Sequence, residues 1–140
     1  HGLATKDSHC TTPVVNEKKK ILNNVDFLAF CNKKSLFAMT AHIIYSEYDP
    51  NNVATHSKIV INDVIRKKLK FKHLLISDDI SMKALKYDLK TNVTKSLEAG
   101  CNLVLYCNGN IKEMNVVANN VPIIDNFVIK KTSQFYRFLM

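Results

Sequence analysis

Apolar positions along this chain come in short runs, separated by polar, turn-forming stretches. In "EKKKILNNVDFLAFCNKK", Ile21, Leu22, Val25, Leu28 and Ala29 recur at helical spacing, and Glu17 sits near the start, where a carboxylate suits the helix dipole. That spacing predicts a helix. The next run, "LFAMTAHIIY", is short, mostly apolar and followed by the turn-rich "SEYDPNN", which suits a buried strand. Ser57 is then placed to cap a helix whose apolar face is Ile61, Val64, Ile65 and Leu69.

The cycle repeats. "HLLIS" predicts a short strand, "DDISMKALKYDL" and "TNVTKSLEA" predict helices, and Gly100 is placed as a helix stop. "NLVLYC" predicts another buried strand, and after "NGN" a helix carries Ile111, Met114, Val117 and Ala118. The final segment, "VPIIDNFVIKKTSQFYRFLM", is ambiguous between a strand, a last helix and a frayed tail. Alternating strands and helices with continuously apolar strands predict an α/β fold with a parallel sheet covered by helices. About three such strands are expected, whereas a complete (β/α)8 barrel takes roughly 250 residues. As a single domain, the chain is long enough for about half of a TIM-type barrel. A small open three-layer sheet fits the same pattern, but no Gly-rich phosphate loop follows any strand to support nucleotide binding.

Composition narrows this reading only modestly. At 140 residues, 46% hydrophobic and 23% charged, the chain suits one globular domain. No segment reads as a signal peptide or a membrane span, so a cytosolic protein is expected. Its first residue is His, so the true start is expected upstream. The net charge of +8 comes from lysines spread over several elements without interleaved aromatics, which predicts a solvated basic face and no nucleic-acid groove. Cys10, Cys31, Cys101 and Cys107 show neither CxxC pairing nor zinc-finger spacing, and buried, reduced thiols are expected for those in or beside apolar runs.

In parallel α/β folds function collects at the C-terminal ends of strands. Period-2 alternation on "AMTAHII" puts Ala38, Thr40 and His42 on one face, a small-small-His face suited to a barrel lumen. His42 fits either a satisfied structural histidine or a substrate contact. On "HLLISDD", Leu74, Ile76 and Asp78 share a face, and Asp78 emerges where the strand ends. Ser77, Asp78 and Asp79 could each cap the next helix, while an Asp at a strand tip can also be a nucleophile. Near the chain start, Asp7-Ser8-His9 reads as a turn in isolation. It also reads as a dyad: a carboxylate on one ring nitrogen fixes the tautomer of an imidazole whose unperturbed pKa of about 6.5 lets it work as acid and base. Glycoside hydrolysis commonly needs one attacking carboxylate and a second group that first protonates the leaving oxygen and then activates water.

These segments, in this order, resemble bacterial exo-β-N-acetylglucosaminidases of glycoside hydrolase family 3, the NagZ type. "HGLATKDSH" looks like the end of that group's "KH[FI]PGHG...DSH" signature, and "AMTAHIIYSEYDPNNVAT" like its "MTAHIVYPALDP..AT" strand and loop. "LLISDDISM" looks like its nucleophile signature and "SLEAGCNLVLYCNG" like its final "AGxDxVLxCN" strand. The match runs from His1 to about Ala118. Val53 stands where the pattern often has proline, and the upstream sugar-binding residues of that family are not among the 140.

The resemblance implies that Asp78 is the nucleophile, His9 the general acid/base and Asp7 the residue that tunes His9; His42 stands as a candidate substrate contact on the strand pattern alone. It implies a retaining β-N-acetylhexosaminidase acting through a covalent glycosyl-aspartate on N-acetylglucosamine-containing muropeptides during cell-wall recycling. No metal or organic cofactor is implied. An N-terminal half-barrel is an expected partner, and residues 1–16 are expected to form the catalytic loop, 17–118 the β/α units and 119–140 a C-terminal segment. A different class of reading remains open: a non-catalytic remnant of a split or decaying glycosidase.

Overall fold

A computed structural model describes residues 1–139, and all of its strand pairings are parallel. The main sheet has the order β2-β4-β5, from Phe37–Met39, Leu74–Asp79 and Leu103–Leu105. A smaller ladder joins β1, Val14–Val15, to β3, Ile44–Tyr45. Strands at the sheet centre are apolar because both faces are covered: Leu74 and Leu75 of β4 have no exposed surface. Leu75 packs with Ile61, Ala99 and Cys101, tying β4 to a π-helix over Val60–Lys68 and to α2, Leu89–Ala99. The α/β architecture with parallel strands in open sheets is that of part of a TIM-type barrel.

Several local expectations hold. Ser57 Oγ accepts a hydrogen bond from the Val60 amide at 3.1 Å, so it does cap the following helix, although that helix is wound as a π-helix. Gly100 ends α2 with φ +118°, where a Cβ would lie 2.9 Å from Ile61 Cγ2. Asn110 caps α3, Ile111–Ala118, and the ambiguous C-terminal segment contains α4, Asn126–Leu139.

Other expectations change. The first helix is shorter than its periodicity suggested: α1 covers Lys19–Asn24, and Leu28–Phe30 form a separate 3-10 turn. "LFAMTAHIIY" is not one strand, because the chain leaves β2 after Met39 and re-pairs in the other ladder as β3. "DDISMKALKYDL" is not a helix; β4 runs on to Asp79, residues 80–87 are turns and bends, and Asp88 caps α2 by accepting from the Thr91 amide at 2.7 Å. Its apolar residues still bury, Ile80 completely, but from an irregular backbone that periodicity cannot distinguish from a helix. Among the cysteines, only Cys101 is buried, with its thiol pushed up to about 12 by that burial; Cys10 and Cys107 are exposed.

Candidate active site

Because the ladders are parallel, one end of the main sheet collects the C-terminal tips of β2, β4 and β5. Asp78 and Asp79 close β4, and a register irregularity sits between Ile76 and Asp79 against β5. Bulges of this kind re-aim side chains at strand ends. Buried Ser77 supports the irregularity by accepting the Leu105 amide on its hydroxyl at 2.9 Å. None of Ser77, Asp78 and Asp79 caps a helix. Asp78 Oδ1 accepts from the Asp79 amide at 2.8 Å, while Asp79 Oδ1 accepts from both the amide and the hydroxyl of Ser81. Asn108, beyond β5, donates to the Ser81 hydroxyl at 2.9 Å and links the two strand tips.

The loop before β1 forms both the turn and the dyad. Asp7 Oδ1 accepts from the His9 amide at 2.9 Å and from His9 Nδ1 at 2.8 Å, and the Asp7 carbonyl accepts from the amides of Cys10 and Thr11. A carboxylate can only accept, so Nδ1 carries a proton and Nε2 is the atom left to gain or lose one. The hydrogen bond and charge of Asp7 raise the His9 pKa, and Asp78 and Asp79 add to the rise through their charges. Asp7 is held below the usual carboxylate range by its hydrogen bonds from the His9 backbone and ring. The loop that carries His9 is also tied to the chain that follows Asp78. The tether is long-range: Thr12 donates to the Ala84 carbonyl at 2.6 Å, fastening the loop to the turns that follow β4. Ser8, buried beneath the exposed dyad, contacts His1 Nε2 at 3.3 Å.

His42 lies apart from that exposed pair, with no solvent-accessible surface. Its Nε2 is 2.9 Å from the Asp79 carbonyl and its Nδ1 is 2.8 Å from Thr55 Oγ1. A carbonyl only accepts, so Nε2 carries the proton. Burial lowers the pKa of the ring and favours the neutral form, which leaves Nδ1 to accept from the Thr55 hydroxyl, a group that also lies 3.2 Å from the Ala41 carbonyl. Thr40, 2.9 Å from Thr55 Oγ1, completes the chain as donor. Both ring nitrogens are thus occupied inside the protein, so the geometry does not present His42 to a ligand. Thr55 and the Asp79 carbonyl were not legible as site elements; the only trace of Thr55 was its place in the "NNVAT" loop.

Among the described residues, no group of three or more His, Cys, Asp or Glu side chains could hold a metal ion, and no helix is long and apolar enough to cross a membrane. A cavity of about 400 Å³ lies beside the unpaired edge of β2, lined mainly by apolar groups including Phe27, Phe30, Phe37, Met39, Val64 and Phe71. Neither Asp78 nor Asp79 lines it, and its chemistry suits packing more than sugar recognition.

Comparison with known proteins places these observations in a lineage. Residues 1–132 match the family described as the glycosyl hydrolase family 3 N terminal domain. A β-hexosaminidase from Psychromonas ingrahamii is 32% identical over 142 aligned positions, covering 97% of this chain and 40% of that protein. One from Actinobacillus succinogenes is 36% identical over 114, covering 77% of this chain and 33% of its own length. Native NagZ from Neisseria gonorrhoeae superposes with a TM-score of 0.78 at 25% identity, over 94% of this chain and 39% of that one. The chain thus spans between a third and two-fifths of these curated relatives. With Asp78 at the C-terminal tip of a parallel strand, the Asp7–His9 pair on a loop tied to the turns that follow that strand, and a family match over nearly its whole length, the chain belongs to the glycosyl hydrolase family 3 N-terminal domain family.

Proposed function

We propose that this chain carries the reacting groups of a retaining β-N-acetylhexosaminidase. In the first half-reaction an Asp78 carboxylate oxygen bonds to the anomeric carbon as the glycosidic C–O bond breaks, and the departing oxygen takes the proton from His9 Nε2. In the second, water attacks the same carbon, its proton goes to Nε2, and the Asp78 ester bond breaks. Asp7 keeps Nδ1 protonated throughout, so Nε2 alone exchanges protons. The observation that carries this reading is the Asp7–His9 pair, its Nδ1 2.8 Å from the carboxylate, on a loop that Thr12 fastens to the turns after Asp78 and β4. The relatives' names support the sugar, N-acetylglucosamine or a close hexosamine. A cytoplasmic muropeptide bearing it at the non-reducing end is the proposed substrate.

The unpaired edge of β2 and its apolar cavity support a further reading: an N-terminal half-barrel is the partner that supplies the preceding strands and the rest of the sugar site. The test is hydrolysis of a chromogenic aryl N-acetyl-β-glucosaminide by the chain, alone and mixed with the N-terminal half of a family relative. Turnover is expected in the mixture, and Asp78→Asn is expected to lower it at least ~1,000-fold. Turnover that survives Asp78→Asn would remove Asp78 from the nucleophile role. Silence in a mixture shown to be folded and associated would favour the non-catalytic remnant.

A further inference from the structure

The β2–β4 ladder stops short of the acidic tip. Its last backbone bond runs from the Thr40 amide to the Ile76 carbonyl at 2.9 Å, and the chain then turns away toward β3. On the β5 side, residues 77–80 are still held, by Leu105 bonding to Ser77 Oγ and to the Ile80 amide. On the β2 side the backbone offers nothing further in register, and the place is taken by the His42 side chain, whose Nε2–H reaches the Asp79 carbonyl. That carbonyl also accepts from the Met82 amide at 3.1 Å, so His42 grips the residue at which the strand turns.

We propose that His42 is a positioning residue: with Thr55 it replaces the missing ladder bond and holds the β4 tip so that the Asp78 carboxylate faces the His9 loop. The connection is continuous. Thr40 Oγ1 meets Thr55 Oγ1, the Thr55 hydroxyl divides its proton between His42 Nδ1 at 2.8 Å and the Ala41 carbonyl at 3.2 Å, and His42 Nε2 donates to the carbonyl of Asp79, whose own amide donates to Asp78 Oδ1. One residue, Asp79, therefore joins the buried histidine at its C=O to the candidate nucleophile at its N–H. A neutral Nε2–H ring is the form that can do this while accepting from Thr55, and full burial favours the neutral form. The assignment rests on the reading of Asp78 and His9 as a reacting pair, but it makes claims about backbone order that can be tested separately.

The experiment is NMR on the full chain, in which the His9 ring is titrated with and without Asp78→Asn in three backgrounds: wild type, His42→Gln and His42→Phe. In wild type, Asp78→Asn is expected to lower the His9 pKa. His42→Gln, which keeps a donor for the Asp79 carbonyl, is expected to preserve that fall, and His42→Phe to lose at least half of it. An equal fall in a folded His42→Phe protein overturns the proposal. Amide exchange gives the independent arm: in His42→Phe, Asp79 and Ile80 are expected to exchange about tenfold faster relative to Leu75. An unchanged ratio also overturns it. If Asp78→Asn leaves His9 unmoved in wild type, the pairing of Asp78 with His9 fails, while the exchange ratio still decides whether His42 holds the tip. Thr55→Val, with Thr55→Ser as the rescuing variant, asks the same questions should His42→Phe fail to fold.

Discussion

His9 and His42 both lie near the tip of β4, and their surroundings push them in opposite directions. His9 sits in an exposed loop, its partner two residues away, and Asp7 raises its pKa. His42 is enclosed by partners 13 and 37 residues away, and burial lowers its pKa. A carboxylate stabilises imidazolium whether or not the tertiary structure is tight; desolvation acts only once the core has closed. The exposed ring is thus arranged to exchange protons, and the buried one to keep a single protonation state and a single geometry. His56 takes the second condition further: it is buried, its Nε2 has no partner among the described residues, and its pKa falls to about 4, chiefly through burial, with the nearby Lys95 charge adding to the fall.

The comparison can be broken most severely in the core. Leu75→Ala removes a fully buried side chain from the middle of β4 and is expected to cost about 2–5 kcal/mol in urea unfolding, because the packed helices around it cannot fully collapse into the space. The Asp7–His9 hydrogen bond is expected to outlast much of that loss, since its partners are neighbours in sequence. Retention of the raised His9 pKa in the destabilised variant, read by NMR, would confirm that the dyad is local.

A smaller effect is pH-dependent. His56 has a depressed folded pKa, so its contribution to stability is full above its unfolded value of 6.5 and is lost as pH falls toward about 4. His56→Leu is expected to flatten the acid limb of stability across that window. An identical acid limb in the variant would exclude His56 as its source.

The smallest effect on stability belongs to Asp7→Asn. Both partners are solvent-exposed, so the urea midpoint near neutral pH is expected to stay where it is. The His9 pKa is nonetheless expected to fall. Any stabilisation from the raised His9 pKa is present below the unfolded value and disappears as pH rises through the folded one, so it could show only on the acid side. A clear drop in the neutral-pH midpoint would mean that Asp7 also anchors the loop.

Much of the architecture was legible because it depends on short-range patterns. Continuous apolar runs at "HLLIS" and "NLVLYC" became β4 and β5, Ser57 and Gly100 bounded helices, and alternating segments implied the parallel sheet. Two misreadings share a physical cause. "DDISMKALKYDL" and the single strand over "LFAMTAHIIY" were read from apolar spacing, which reports burial; burial alone does not choose between a helix and a tethered turn, or keep a strand in one sheet.

What the sequence by itself determined is therefore local: the Asp7–His9 spacing that permits a carboxylate–imidazole bond, the caps, and the apolar content of each strand. Tertiary structure decided which groups meet. It turned β4 at a bulge so that neither Asp78 nor Asp79 became a helix cap, tied the first loop to Ala84, and enclosed His42 between Thr55 and the Asp79 carbonyl. Those contacts join residues 13 to 72 positions apart, and no local propensity encodes them. They exist because closing the core leaves buried polar groups that must find partners, and the partners available are set by how the strands pack.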